Sequence, residues 1–172
     1  AGTGVGKSLG YLMPAAIFSR HFEELVVVST NTIALQEQLI TKDLPTAEAL
    51  SAIDGAFATS KLQFSEMKGR TNYLCRRRFR DFADSEGLSI RDLRFILKLM
   101  VWLNTTSTGD REEIRLTNAD QRLWERVCGR SGDDCYNRES DCFFRRARVK
   151  ASESEVLVVN HALLLANAQA GG

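Results

Sequence analysis

The 172-residue sequence is 44% apolar and 26% charged, the proportions of an ordinary globular chain with one core of usual domain size. A formal net charge of +1 excludes a bulk polycation, so any affinity for anions must come from local clustering. No apolar run approaches the ~20 residues of a membrane span, no basic-then-apolar leader is present, and four cysteines are too few for a disulfide scaffold, which predicts a cytoplasmic, non-membrane protein with free thiols or metal ligands.

The chain opens with "AGTGVGKS", a glycine-rich turn that runs straight into an apolar helical pattern. Glycines at 2, 4 and 6 let the backbone turn its N–H groups inward, and a helix starting near Lys7 adds its positive end, so Gly2, Thr3, Gly4, Val5, Gly6, Lys7 and Ser8 form a candidate phosphate loop. In such a loop Lys7 reaches the β- and γ-phosphates of ATP and Ser8 places its hydroxyl on Mg²⁺, the two residues closest to catalysis. Leu9, Leu12, Met13, Ala16 and Ile17 share one face of the helix predicted over Ser8–Arg20, which Pro14 should kink or shorten. Such a loop calls for a strand ahead of it and an acidic pair at a strand end downstream; both are expected outside the sequence, since Asp133-Asp134 falls in a polar loop between cysteines.

The β-branched run Glu24–Thr30 predicts a strand of a parallel sheet covered on both faces, and the polar residues after it can cap a helix beginning near Ile33. From 51 to 150 the character changes, with helices predicted over Asn72–Ala83, Ser89–Leu103, Asn118–Val127 and Phe143–Ser152, a polar loop across 104–111, and no strand. A second β-branched run, Glu155–His161, returns the chain to α/β and leads into the helical "ALLLANA". The reading is therefore a parallel α/β sheet built from 1–67 and 151–172 and interrupted by a mainly helical insertion over 68–150.

Cys75, Cys128, Cys135 and Cys142 all lie in that insertion, and none of them forms the short knuckle usual for structural zinc. Their spacing leaves an iron–sulfur cluster, a zinc site and unligated thiols open. Around them "KGRTNYLCRRRFR" carries six basic residues and "FFRRARVK" four, with no acid in either and with Tyr73, Phe79, Phe143 and Phe144 interleaved. Cations on phosphates with aromatics on bases would make a single-stranded nucleic-acid path, and a solvated basic face or compensation of a negative cluster explains the same residues.

Taken in order, "AGTGVGKSLGYLMPA", "VVVSTNTIALQEQL", "KGRTNYLC" and "CFFRRARVKASESEVLVVNHALLLAN" resemble the DinG-like branch of the XPD-type iron–sulfur helicases of superfamily 2, over essentially the whole sequence. The resemblance implies a partial RecA-like P-loop NTPase fold and part of a monomeric ATP-dependent DNA helicase. By position it implies ATP and Mg²⁺ on the loop and a [4Fe–4S] cluster on Cys75, Cys128, Cys135 and Cys142. It further implies contacts to single-stranded or forked DNA from Thr30, Asn31, Thr32 and Gln36, with Arg76, Arg77 and Arg78 as further candidates, and translocation 5′ to 3′ in repair or replication. The competing reading is a non-enzymatic zinc- or iron-containing nucleic-acid-binding module; a small-molecule kinase explains neither cysteines nor basic stretches.

Overall fold

The computed structural model describes residues 6–53, 61–130 and 141–169. Two compact units emerge, one from Ala1–Lys68 with Arg148–Gly172 and the other from Gly69–Ala147. The sequence pattern divides the chain at 67/68 and 150/151 instead; the second junction falls inside a helix, where composition carries no boundary mark.

The first unit holds a three-stranded, wholly parallel sheet of β1 (Val26–Thr30), β2 (Phe64–Met67) and β3 (Val156–Asn160) in the order β1-β3-β2. Val26 pairs with Val156 on one side of β3 and Phe64 with the same Val156 on the other. β3 is the central strand, with Val156 and Val158 fully buried, as its continuous apolar run Val156–Val159 predicts. β1 departs from expectation: it pairs with one neighbour among the described residues and its Val27 is exposed, so it is not covered on both faces. β2 is a correction to the strandless reading of 51–150. "FSEM" is short and half polar, and its place at the sheet edge beside β3 makes it a strand through backbone pairing rather than side-chain pattern.

Helix α1 (Lys7–Phe22) runs through Pro14 without ending. The residue four back, whose carbonyl loses its N–H partner and meets the ring, is Gly10; both residues are solvent-exposed, which spares the carbonyl a buried unpaired state, and no Cβ adds to the crowding. Leu12 and Ala16 of α1 join Leu39, Leu44, Ala47, Leu62, Val156 and Val158 in the core of this unit. Helices α2 (Ile33–Gln38) and α3 (Leu44–Ile53) are continuous through a π-turn over Leu39–Asp43, where the Leu44 N–H reaches back to Leu39 O. Pro45 has no N–H for the Thr41 carbonyl, and the wider turn just before it absorbs that break without splitting the helix. Helix α8 (His161–Gln169) follows β3.

The second unit is built from α4 (Arg76–Ala83), α5 (Ile90–Leu103), α6 (Asn118–Val127) and the start of α7 (Phe143–Ser152), which ends in the first unit. Its core gathers Leu74, Phe82, Phe95, Leu99, Trp102, Trp124, Val127 and Phe143. α5 and α6 each open with a capping box, Ser89 with Asp92 and Thr117 with Asp120, which satisfies two N–H groups left over at the first turn. Asp120 also takes the Lys98 ammonium at 2.9 Å, which ties α5 to α6. α4 begins later than its periodicity predicts because Tyr73 and Leu74 are extended, bridged to Asp110 and Cys128. Among the described residues no helix is long and apolar enough to cross a membrane.

Candidate functional site

Of the phosphate-loop residues, Gly2, Thr3, Gly4 and Val5 lie outside the described residues. Gly6 caps α1 in a left-handed conformation, φ 67°, which favours glycine, and its carbonyl accepts the Gly10 N–H at 3.2 Å. Lys7 and Ser8 form the first turn of α1, Lys7 exposed and Ser8 half-buried, with no acidic residue in that turn. The first-turn N–H groups and positive end of a 16-residue helix therefore lie beside a lysine and a hydroxyl, a combination suited to phosphate and a divalent cation. Leu12 in the core fixes the helix under this turn.

The short turn Glu23–Leu25 reverses the chain into β1, which puts the start of α1 and the C-terminal ends of the strands at the same end of the unit. There the residues expected on DNA separate into two kinds. Asn31 and Thr32 are exposed, and the Thr32 hydroxyl accepts the Leu35 N–H as the cap of α2. Thr30 is buried and donates to Thr32 O. Gln36 is fully buried, its Nε2 donating to Met67 O at 3.1 Å and Val158 O at 3.0 Å. The expectation of DNA contact through Gln36 and Thr30 is thereby corrected: Gln36 braces α2 against β2 and β3, and neither side chain reaches the surface. One pair escaped sequence reasoning. Ser29 Oγ and His161 Nδ1 are 2.5 Å apart across the ends of β1 and β3, and nothing in two residues 132 positions apart announces that they meet.

At the opposite end of the sheet Glu155 receives Arg20 Nε at 2.8 Å and the Gln63 N–H at 2.7 Å. One carboxylate thus joins α1, the approach to β2 and β3. Lys68, one of the six cations of the first basic stretch, is buried with its ammonium 3.6 Å from Glu66.

In the second unit three cysteines sit at helix ends: Cys75 caps the start of α4, Cys128 the end of α6, and the Cys142 carbonyl accepts the Arg146 N–H at the start of α7. Backbone bonds link the first two, with Cys75 N–H on Val127 O at 2.9 Å and Leu74 bridged to Cys128. Side chains draw in the third: Arg76 lies 3.3 Å from Asp141 and 4.8 Å over the Phe143 ring, the two residues flanking Cys142. Cys135 lies outside the described residues, and among those described no group of three or more His, Cys, Asp or Glu side chains is arranged to hold a metal ion. The set offers sulfur donors throughout, and Cys75, Cys128 and Cys142 are free of disulfides. Burial pushes the Cys128 thiol up, partly offset by the Arg130 and Arg78 guanidiniums.

The aromatics of the basic stretches are not free to stack on bases. Tyr73 and Phe143 are in the core, and Phe79 and Phe144 pack against it. Two of the rings meet cations of the same chain, Arg70 over Phe144 at 4.7 Å and Arg146 over Phe143 at 4.7 Å, and Tyr73 packs edge-on against Phe144. Arg76 is likewise engaged with Asp141, whereas Arg77 is exposed and Arg78 half-buried.

A parallel sheet flanked by helices, with Gly6-Lys7-Ser8 opening one of them, is consistent with part of a RecA-like domain. No protein-family model matches the chain. It is 36% identical over 189 residues to the ATP-dependent helicase DinG of Mycobacterium tuberculosis (strain ATCC 25618 / H37Rv), covering 99% of this chain and 28% of that protein. It is 36% identical over 172 residues to the ATP-dependent DNA helicase YoaA of Escherichia coli (strain K12), covering 97% of this chain and 25% of the relative. To a Bacillus subtilis (strain 168) protein named 3'-5' exonuclease DinG it is 34% identical over 166 residues, covering 94% and 17%. The chain is DinG-like, homologous over most of its length to proteins named DinG and YoaA, and spans 17% to 28% of these three.

Proposed function

We propose that the chain is part of an ATP-dependent DNA helicase that couples ATP hydrolysis to 5′–3′ movement on single-stranded DNA and to duplex unwinding in repair or replication. The observation that carries this reading is the 36% identity, over nearly the whole of this chain, to about a quarter of each of two named helicases, joined to Gly6-Lys7-Ser8 at the start of α1. In it, residues 1–67 and 151–172 belong to the first RecA-like lobe, and 68–150 are the iron–sulfur insertion. Gly2 to Ser8 cradle the phosphates of ATP, with Lys7 neutralising charge on the transferred group and Ser8 on Mg²⁺. Asn31, Thr32, Arg77 and Arg78 face single-stranded and forked DNA. Cys75, Cys128 and Cys142 hold a [4Fe–4S] cluster together with Cys135, and the placement of the first three at helix ends, with Cys75 and Cys128 tied through backbone bonds, supports it. When bound, such a cluster supplies a four-point cross-link between those helix ends. The protein works as a cytoplasmic monomer.

Two measurements test the reading. Lys7→Ala should weaken ATP·Mg²⁺ binding about tenfold or more, by removal of a charge-assisted phosphate contact, and leave DNA binding intact. Unchanged nucleotide affinity refutes the loop. Protein purified without oxygen should be coloured and carry about four irons and their sulfides, with the colour lost in Cys142→Ser. One zinc and no colour would favour the non-enzymatic binding module.

A further inference from the structure

A cavity of 370 Å³ in the second unit is walled by Arg78, Asp81, Phe82, Arg126 and Arg130. Among the described residues three arginines and one aspartate line it, a net positive wall, and two of the three guanidiniums are held by neighbours of the same chain before any ligand arrives. The Arg126 guanidinium lies 4.2 Å over the Phe82 ring, which is itself part of the core. Arg130 donates through Nη2 to Glu125 O at 2.7 Å, and its carbonyl accepts Arg70 Nη1 at 3.2 Å. α4 and α6 bring Arg78 and Arg126 together, and Arg130 follows directly on the end of α6.

Planar guanidiniums pair with phosphate oxygens by paired N–H donation, and a site of this size admits a phosphate with its sugar. It offers no platform for a base, because the face of Phe82 is covered by Arg126. A site that takes phosphate and ignores the base is what movement along DNA of any sequence requires. We infer that Arg78, Arg126 and Arg130 form a subsite for one or two backbone phosphates of single-stranded DNA. The inference rests on the helicase reading and adds Arg126 and Arg130 to it.

The competing explanation is that these arginines compensate a cysteine-bound cluster, since Arg130 and Arg78 both act on the Cys128 thiol. The test therefore turns on Arg126, stacked on Phe82. Binding of fluorescein-labelled oligo-dT is followed by anisotropy between about 50 and 200 mM salt. Arg126→Gln and Arg130→Gln should each flatten the log–log salt slope by about 0.7, one phosphate contact apiece, and the double variant by about twice that. Arg94→Gln, at an exposed position of α5, removes the same charge and should leave the slope unaltered. Arg126→Lys keeps the charge and should keep the slope, which separates a lost contact from a disturbed fold; tryptophan fluorescence melting checks each variant.

A wild-type slope in Arg126→Gln and Arg130→Gln overturns the subsite while the helicase reading stands. Wild-type protein that shows no salt-dependent DNA binding removes the reading and the subsite with it. If the variants lose ATP affinity in step with DNA affinity, the cavity holds free nucleotide and the inference is wrong.

Discussion

Gly109→Ala should be among the most damaging single-methyl changes available to the second unit. Gly109 has φ 66°, and a Cβ built there would fall on the ring of Phe143, nearer than carbon–carbon contact allows. Phe143 cannot step aside, because it is 1% exposed in the core and flanked by Arg76 and Arg146 over its ring. Gly109 cannot move away either, because its carbonyl accepts the Leu74 N–H at 2.9 Å and its N–H donates to Thr106 Oγ1 at 2.8 Å. The left-handed backbone costs about 1 kcal/mol for a residue with a Cβ, and overpacking about 1–3 kcal/mol, for a total of about 2–4 kcal/mol. At about 4–8 °C per kcal/mol for a domain of this size, the melting temperature should fall by about 10 °C or more. Gly87→Ala supplies the control, since φ there is 71° but no atom lies within 4 Å of the added methyl. The chain's two tryptophans, Trp102 and Trp124, both belong to this core, so thermal unfolding followed by their fluorescence reports on this unit. Phe143→Leu in the Gly109→Ala background should recover part of the loss. Equal losses for Gly109→Ala and Gly87→Ala would refute the steric argument and leave only the backbone cost.

Gln36→Leu removes two buried hydrogen bonds at nearly constant volume and should cost about 1–3 kcal/mol, read by far-ultraviolet circular dichroism melting, with oligo-dT affinity unchanged; reduced DNA affinity without loss of stability would restore Gln36 as a DNA contact. Burial pushes the Asp120 carboxyl up, but hydrogen bonds from Lys98 and Thr117 outweigh it and hold the group below the usual range. Its contribution to stability is therefore present above the unfolded value of about 3.9 and lost as pH falls through the lower folded value. Asp120→Asn should lower stability at neutral pH by about 1 kcal/mol and flatten the acid limb of a pH series of tryptophan melts. Parallel acid limbs in variant and wild type would assign that loss to other groups.

The elements that were legible in the sequence are those whose signal is local. Val156–Asn160 is a strand wherever its β-branched run is placed, and Ser89 with Asp92 announces the start of α5 within four residues. What escaped depends on partners distant in sequence. "FSEM" becomes β2 only beside β3, and Ser29 and His161 acquire meaning only when β1 and β3 align. The aromatics illustrate a further ambiguity. Tyr73 and Phe143 interleave with arginines as a base-stacking path would, but the same alternation places a ring in the core with a guanidinium over it. Gln36 was misread for a related reason: a polar side chain in a segment that resembles a DNA-contacting motif is buried when two strand carbonyls need its amide.

The strand order β1-β3-β2 fixes a sequence of events during synthesis. β1 and β2 leave the ribosome early, yet they are not neighbours in the sheet; among the described residues each pairs with β3. Every residue of the second unit is made before Val156 emerges. Until then the backbone edges of β1 and β2 wait without the β3 ladder, and the loop to be closed between Val26 and Val156 is among the longest the chain contains. The nascent protein is therefore most exposed to misassociation in the interval before β3 appears, and slow translation through the second unit would lengthen that interval.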